Sequence, residues 1–290
     1  MDRCDFLPVS AEEMHERGWW WYDALVVGGD AYVDHPSFGT AVISRVLEAE
    51  GLRVAVLAQP DWHDAEAFRA MGRPRLGVFI GAGNLDSMVA HYTAAKRRRS
   101  EDFYSPGKRT GCRPDRAAIV YCNRAREAFG PDVPIILGSL EASLRRFAHY
   151  DYWDDSVRRA ILFDAPADLL VYGMGEAATI EIAHRLKKKQ SVHTMTDIPG
   201  TGYITRDPSL CKFDHITLPS YEDVRDDKRL YAEATRTEYA EHDPVRGRAM
   251  IQPCEGRYLV INPPAMPLDT RELDRVADLP YTREWHPMYE

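Results

Sequence analysis

The sequence predicts an α/β fold, a doubly wound and mainly parallel sheet followed by an extended C-terminal appendage. Two observations carry that prediction. Short apolar runs closed by glycine alternate with helix-spaced stretches along residues 20–190. The alternation then stops near residue 195. Composition agrees, since 290 residues with 44% apolar and 28% charged side chains describe an ordinary folded chain with room for a large core. A disordered, collagen-like or repeat-array chain is excluded.

The first strand is read in Asp23-Ala24-Leu25-Val26-Val27-Gly28-Gly29-Asp30, a short apolar run of the buried parallel kind. A loop over residues 31–38 leads into a helix that carries Val42, Ile43, Val46 and Leu47 on one face and stops at Gly51. Residues 53–58 form the next strand, so the three elements make a βαβ unit with a right-handed crossover. Further strands are predicted at 76–80, 134–138 and 167–173, with helices near 84–92, 115–129 and 176–188. Residues 1–195 are therefore expected to form one α/β domain.

Residues 196–290 read differently. Residues 221–241 predict one long charged helix with Ser220 as its N-cap. Residues 257–261 are strand-like after a turn at Cys254-Glu255-Gly256, and Asn262-Pro263-Pro264 ends the strand. Residues 268–279 predict an amphipathic helix capped by Thr270, with Leu273 and Val276 on one face. Too few apolar elements occur here for an independent core, so this segment is expected to be an appendage packed on something else.

The chain has 37 basic and 45 acidic residues, a net charge of −8, which argues against a general polyanion binder. One stretch runs the other way. Residues 96–116 hold eight basic side chains (Lys96, Arg97, Arg98, Arg99, Lys108, Arg109, Arg113, Arg116) against three acids. Phe103 and Tyr104 within it suit base stacking. It reads either as a solvated loop packed on a neighbouring domain or as a contact for RNA or another anionic ligand.

Met1-Asp2-Arg3-Cys4-Asp5-Phe6-Leu7-Pro8 has no apolar signal-type core, and no run approaches the ~18 apolar residues of a membrane span. A cytoplasmic chain with no membrane contact is expected. The five cysteines, at 4, 112, 122, 211 and 254, include no Cys-x-x-Cys. They read as free thiols, without the spacing of a zinc or iron–sulfur site.

In an open α/β sheet, ligands sit outside the carboxyl ends of the strands. Three strand ends carry candidate residues. After the first come Asp30, Asp34 and His35 within Gly28-Gly29-Asp30-Ala31-Tyr32-Val33-Asp34-His35-Pro36-Ser37-Phe38-Gly39. Asp34 and His35 either contact a ligand or metal, or serve the loop, with Asp34 or Ser37 capping the helix. The spacing is not Gly-x-Gly-x-x-Gly, so no nicotinamide-cofactor fingerprint is present. After the fourth strand come Gly138, Ser139, Glu141 and Ser143, followed by Arg145 and Arg146, which suit an anion. After the fifth, Gly173-Met174-Gly175-Glu176 opens a helix whose free amides suit a phosphate or carboxylate. The aromatic and acidic segment 147–155 reads either as an interface plug or as a His–Asp pair around His149.

Several long stretches resemble the N-terminal region of the YgiQ family of radical SAM proteins. They are Gly29 through Gly39, Ala82-Gly83-Asn84-Leu85-Asp86-Ser87-Met88, Glu141 through Trp153, Leu170 through Glu176, and the tail Leu279-Pro280-Tyr281-Thr282-Arg283 with His286-Pro287. The resemblance implies a cobalamin-binding-like, flavodoxin-like domain that precedes a radical SAM barrel. In the wider group a second glycine usually stands where this chain has Ser139. The Asp-x-His-x-x-Gly signature of base-off cobalamin binders is not matched, because Asp34 and His35 are adjacent. For the longer family proteins the resemblance implies a 4Fe–4S cluster held by Cys-x-x-x-Cys-x-x-Cys and S-adenosylmethionine (SAM) as cofactors. That motif is absent here and is expected beyond Glu290. The chain thus reads as an accessory fragment, with the barrel as its partner in cis or on a separate chain. A small-molecule module, for a cobalamin-like or nucleotide-like ligand, is the alternative.

Overall fold

The computed structural model describes residues 5–290, so Cys4 and the first residues of the leader reading lie outside the described residues. In chain order the elements are α1 (Ala11–Glu16), β1 (Ala24–Gly28), α2 (Gly39–Ala49), β2 (Val54–Ala58), α3 (Glu66–Ala70), β3 (Gly77–Ile80), α4 (Ser87–His91), α5 (Ala117–Phe129), β4 (Ile135–Leu137), α6 (Ser139–Leu144), β5 (His149–Asp151), β6 (Ser156–Arg158), β7 (Leu169–Val171) and α7 (Glu176–Lys187). Then follow β8 (Thr201–Thr205), β9 (His215–Thr217), α8 (Tyr221–Asp226), α9 (Lys228–Ala240), β10 (Ala249–Cys254), β11 (Arg257–Ile261) and α10 (Thr270–Ala277).

Nine strands make one sheet in the order β2-β1-β3-β4-β7-β8-β11-β10-β9, and β5 and β6 form a separate hairpin. The first five are parallel throughout. Their order along the chain is 2-1-3-4-5, a doubly wound arrangement whose direction reverses between β1 and β3. Alternating side chains feed two cores, as a sheet buried on both faces requires. Leu25 and Val27 pack with Phe68 of α3 and Tyr121 and Cys122 of α5. Ala24 and Val26 pack with Leu47 of α2 and Ile182 and Leu186 of α7.

The segment expected to stand apart as an appendage does not do so over residues 201–261. β8 pairs antiparallel with β7, β11 with β8, and β10 with β11, while β9 runs parallel to β10. Tyr203, Ile251 and Val260 join one core, and Leu218, Met250, Leu259 and Ile261 join the other. These strands borrow the core of the parallel half. Thr201-Gly202-Tyr203-Ile204-Thr205 and His215-Ile216-Thr217 are too short and too polar to announce themselves.

The single helix expected over 221–241 is two. The chain leaves helical geometry at Asp227 (φ −126°, ψ 112°), whose carboxylate accepts from the Arg229 N–H and starts α9. Ser220 does cap α8, in a reciprocal capping box with Asp223. The cap of α10 is Asp269, boxed with Glu272, rather than Thr270, and Leu273 of that helix is exposed. The last ten residues strap back onto the loop after β1. The amide of Asp34 donates to the Glu284 carbonyl, that of Arg283 to the Asp34 carbonyl, and that of His286 to the Tyr32 carbonyl. No helix among the described residues is long and apolar enough to cross a membrane.

Candidate functional site

The carboxyl ends of β1, β3, β4 and β7 enclose a cleft of about 310 Å³ beside the reversal point of the sheet. Such a volume is at the small end of small-molecule sites. Its floor is apolar, with Val26, Phe79, Ile136 and Val171 from the strands and Ile43 from α2. Thr40 and Thr179 bring hydroxyls from the first turns of α2 and α7, and Glu176 is the one charged side chain in the lining. Gly29 makes this edge possible, because a Cβ there would stand 2.0 Å from the Ala82 carbonyl oxygen.

Five of the ten sequence-predicted site residues line the cleft, namely Gly138, Ser139, Gly173, Gly175 and Glu176. Ser139 has φ +74°, the left-handed region that favours glycine. The serine offsets the strain by accepting the Ala82 N–H with its Oγ at 3.1 Å, which ties the β3 and β4 ends together. The Glu176 carboxylate already occupies the positive end of α7, and its Oε2 is buried without a hydrogen-bond partner. The cleft therefore favours a neutral or cationic group at that wall over the anion expected from the sequence.

The other five stand outside the lining. Asp30, Asp34 and Glu141 are buried struts. Asp30 pairs with the fully buried Arg113 at 2.8 Å and accepts the Asn84 N–H at 2.6 Å. Asp34 pairs with Arg45 of α2 at 2.5 Å and accepts the Thr282 N–H at 3.0 Å. Glu141 accepts the amides of Ser87 at 2.9 Å and Ala118 at 3.1 Å, and burial raises its pKa above the usual carboxylate range. Ser143 donates to the Ser139 carbonyl and accepts from the Gly173 amide. His35 accepts the Ser37 N–H with Nδ1. Neither Asp34 nor Ser37 caps α2, whose N-cap Phe38 has no side-chain bond; Asp34 is turned inward to Arg45.

The basic excursion is anchored to the domain at its C-terminal end, while Lys96, Arg97, Arg99 and Arg109 have no acidic partner among the described residues and are exposed. Arg113 binds Asp30 and Asp102, Arg116 binds Asp151 and Asp154, and Arg99 donates to the carbonyls of Val89 and Tyr92. Arg145 pairs with Asp86. His149 and Asp151 do not form a catalytic pair. His149 Nδ1 faces its neighbour's carbonyl at Phe147, and Asp151 is held by Arg116 and the Trp153 amide.

Sequence reasoning missed Thr40, Ile43 and Thr179. The signal was present, since Thr40 and Ile43, and Glu176 and Thr179, are three apart on helices that begin at strand ends.

The donor sets do not fit a 4Fe–4S cluster. Of the four described cysteines, all free, Cys122 and Cys254 are buried, and burial pushes the Cys254 thiol up to about 12. Among the described residues no group of three or more His, Cys, Asp and Glu side chains is placed to hold a metal ion. His35 lies outside the cleft lining, which does not match a cobalamin-ligating histidine there.

Taken together, these features define an open α/β domain with a glycine-edged, mostly apolar ligand cleft at its strand ends. The family model described as radical SAM N-terminal matches residues 6–290, and the chain belongs to that family. Relatives agree with the YgiQ-type resemblance. A UPF0313 protein of Clostridium botulinum (strain 657 / Type Ba4) is 53% identical over all 290 residues, and one of Clostridium perfringens (strain SM101 / Type A) is 52% identical over the same span. The chain covers 45% and 44% of those relatives, so it spans about half their length. A solved radical S-adenosylmethionine methyltransferase, TsrM from Kitasatospora setae, aligns with 62% of this chain and 28% of its own at 20% identity. With a TM-score of 0.38, that superposition is too loose to carry an argument.

Proposed function

We propose that this chain is the accessory N-terminal portion of a cytoplasmic radical SAM protein, shaping and covering the site where a cluster-bearing barrel works on its substrate. The family match over residues 6–290 carries the reading. In this reading the 4Fe–4S cluster and SAM belong to the other part of a longer protein, since among the described residues no donor set suits the cluster. The 290 residues alone do not cleave SAM. Their own contribution is a cobalamin-binding-like scaffold, flavodoxin-like in strand order, whose cleft holds part of a small ligand while Asp30, Asp34 and Glu141 fix the loops around it.

The test has two parts. Genomic sequence past codon 290 is expected to continue in frame into a Cys-x-x-x-Cys-x-x-Cys loop, and the longer protein is expected to cleave SAM where the 290 residues do not. A stop codon with no neighbouring frame for the cluster overturns the reading. The cleft's size and apolar lining also favour a small-molecule module that acts alone. A saturable spectral or calorimetric response to cobalamin or a nucleotide in the 290-residue chain would support that alternative.

A further inference from the structure

Arg146, which is half-buried, differs from the buried Arg45 and Arg113 and the half-buried Arg145. Those three each face a carboxylate. The guanidinium of Arg146 lies instead against the rings of Phe147 and Tyr172, 5.2 and 5.1 Å from their centroids. Nη1 donates to the Ser143 carbonyl at 2.6 Å, Nη2 meets His242 Nδ1 at 3.3 Å, and Nε is buried with no partner. A cation withdrawn from water without a counter-ion is costly. Burial accordingly pulls the pKa of Arg146 down, and that of His242 with it. Glu238 of α9 faces the group but forms no ion pair with it, and burial pushes the Glu238 carboxyl up to about 7. Near neutrality Glu238 is therefore only partly ionised, and no ion pair among the described residues holds the charge on Arg146.

Position and shape narrow the ligand. Ser143 links Arg146 to Gly173, a residue of the cleft lining, so the guanidinium sits beside the cleft rim. Both rings approach it closely, and its edge bears donors that have no carboxylate partner. A guanidinium edge matches a planar carboxylate, with two parallel N–H···O bonds.

We propose that the edge of Arg146, with His242 beside it, is a binding niche for the carboxylate group of a small organic acid. Entry of the carboxylate displaces the long Nη2···His242 contact and gives Arg146 its missing counter-ion. His242 then takes up a proton from solvent and becomes the second cation of the niche. The groups facing the niche are Glu238 from α9, His242 after it, Tyr172 at the end of β7 and Ser143 from α6. Ionised Glu238 competes, so binding weakens as pH rises through about 7. The niche does not require the cleft to be occupied.

The test is an NMR titration of the 290-residue chain with sodium acetate at constant ionic strength near pH 6.5, following the His242 ring proton. A saturable shift is expected, with a raised His242 midpoint, and Arg146→Gln is expected to abolish both. Glu238→Gln, which removes the competitor and keeps Arg146, is expected to tighten acetate binding about threefold or more at pH near 8. No saturable shift up to about 100 mM acetate would overturn the niche. So would a shift that survives Arg146→Gln, or a Glu238→Gln chain that binds no tighter and is merely destabilised, which would make Glu238 the resident counter-ion.

Discussion

The parallel and antiparallel halves of the sheet hold their loops by different chemistry. In the parallel half every strand ends at the same edge, so the loops after β1, β3 and β4 crowd together. They are fixed by buried polar pins, with Arg113 joining Asp30 to Asp102 through ion pairs and the Glu141 carboxyl gathering two amides. In the antiparallel half successive turns alternate between edges, and neutral amides share the work with ion pairs such as Arg248–Glu241. Gln252 accepts the Ala148 N–H and donates to the Pro219 carbonyl. Asn262 donates to the carbonyls of Thr196 and Ile198 and to Thr201 Oγ1. Crowding loops at one edge creates a cleft, and it also demands pins with long reach and strong directionality, which buried arginines supply.

The sharpest way to break this comparison is Arg113→Met. It strands two buried carboxylates, and a loss of about 3–5 kcal/mol is expected from urea unfolding. A loss below about 1 kcal/mol would mean the ions are not the pins. Asn262→Ala is the matching experiment in the other half. The two N–H groups of its amide, shared among three acceptors, are lost, and about 2 kcal/mol is expected by the same measurement, clearly less than for Arg113.

Glu238 of α9, facing Arg146, adds a pH axis. Its folded pKa, about 7, is raised above the ordinary carboxylate value of 4.5 by burial. The folded state thus holds the proton more tightly than the unfolded state, and stability falls as pH rises from about 4.5 to about 7. Glu238→Gln is expected to stabilise the chain by about 1–2 kcal/mol near pH 8 and to change little near pH 4. Equal effects at both values would remove Glu238 as the cause. Ser139→Gly should have the smallest effect. Relief of the left-handed strain and loss of the Oγ bond to Ala82 each amount to about 1 kcal/mol. A midpoint shift equivalent to about 0.5 kcal/mol or less is expected, of either sign.

The same contrast explains what the sequence made legible. Parallel strands buried on both faces appear as short apolar runs, all but β2 closed by glycine, so β1 to β4 and β7 could be read directly. The strand-end glycines and Glu176 followed from that reading. β8, β9 and β10 could not be read, because their cores come from elsewhere and their sequences mix Thr, His and Gln with apolar residues. Asp30, Asp34 and Glu141 were legible as unusual residues at strand ends. Their partners were not, because Arg113 lies 83 positions from Asp30, and Thr282 lies 248 positions from Asp34. Spacing along the chain says nothing of pairings that distant.

The central claim is that these residues form the accessory domain of a radical SAM protein and carry no cluster themselves. Anaerobic reconstitution of the 290-residue chain with iron and sulfide, followed by iron analysis after desalting, tests it most directly. Iron well below one atom per chain is expected, with no cluster absorption. Close to four irons per chain with matching sulfide would contradict the account and place the redox centre on these residues.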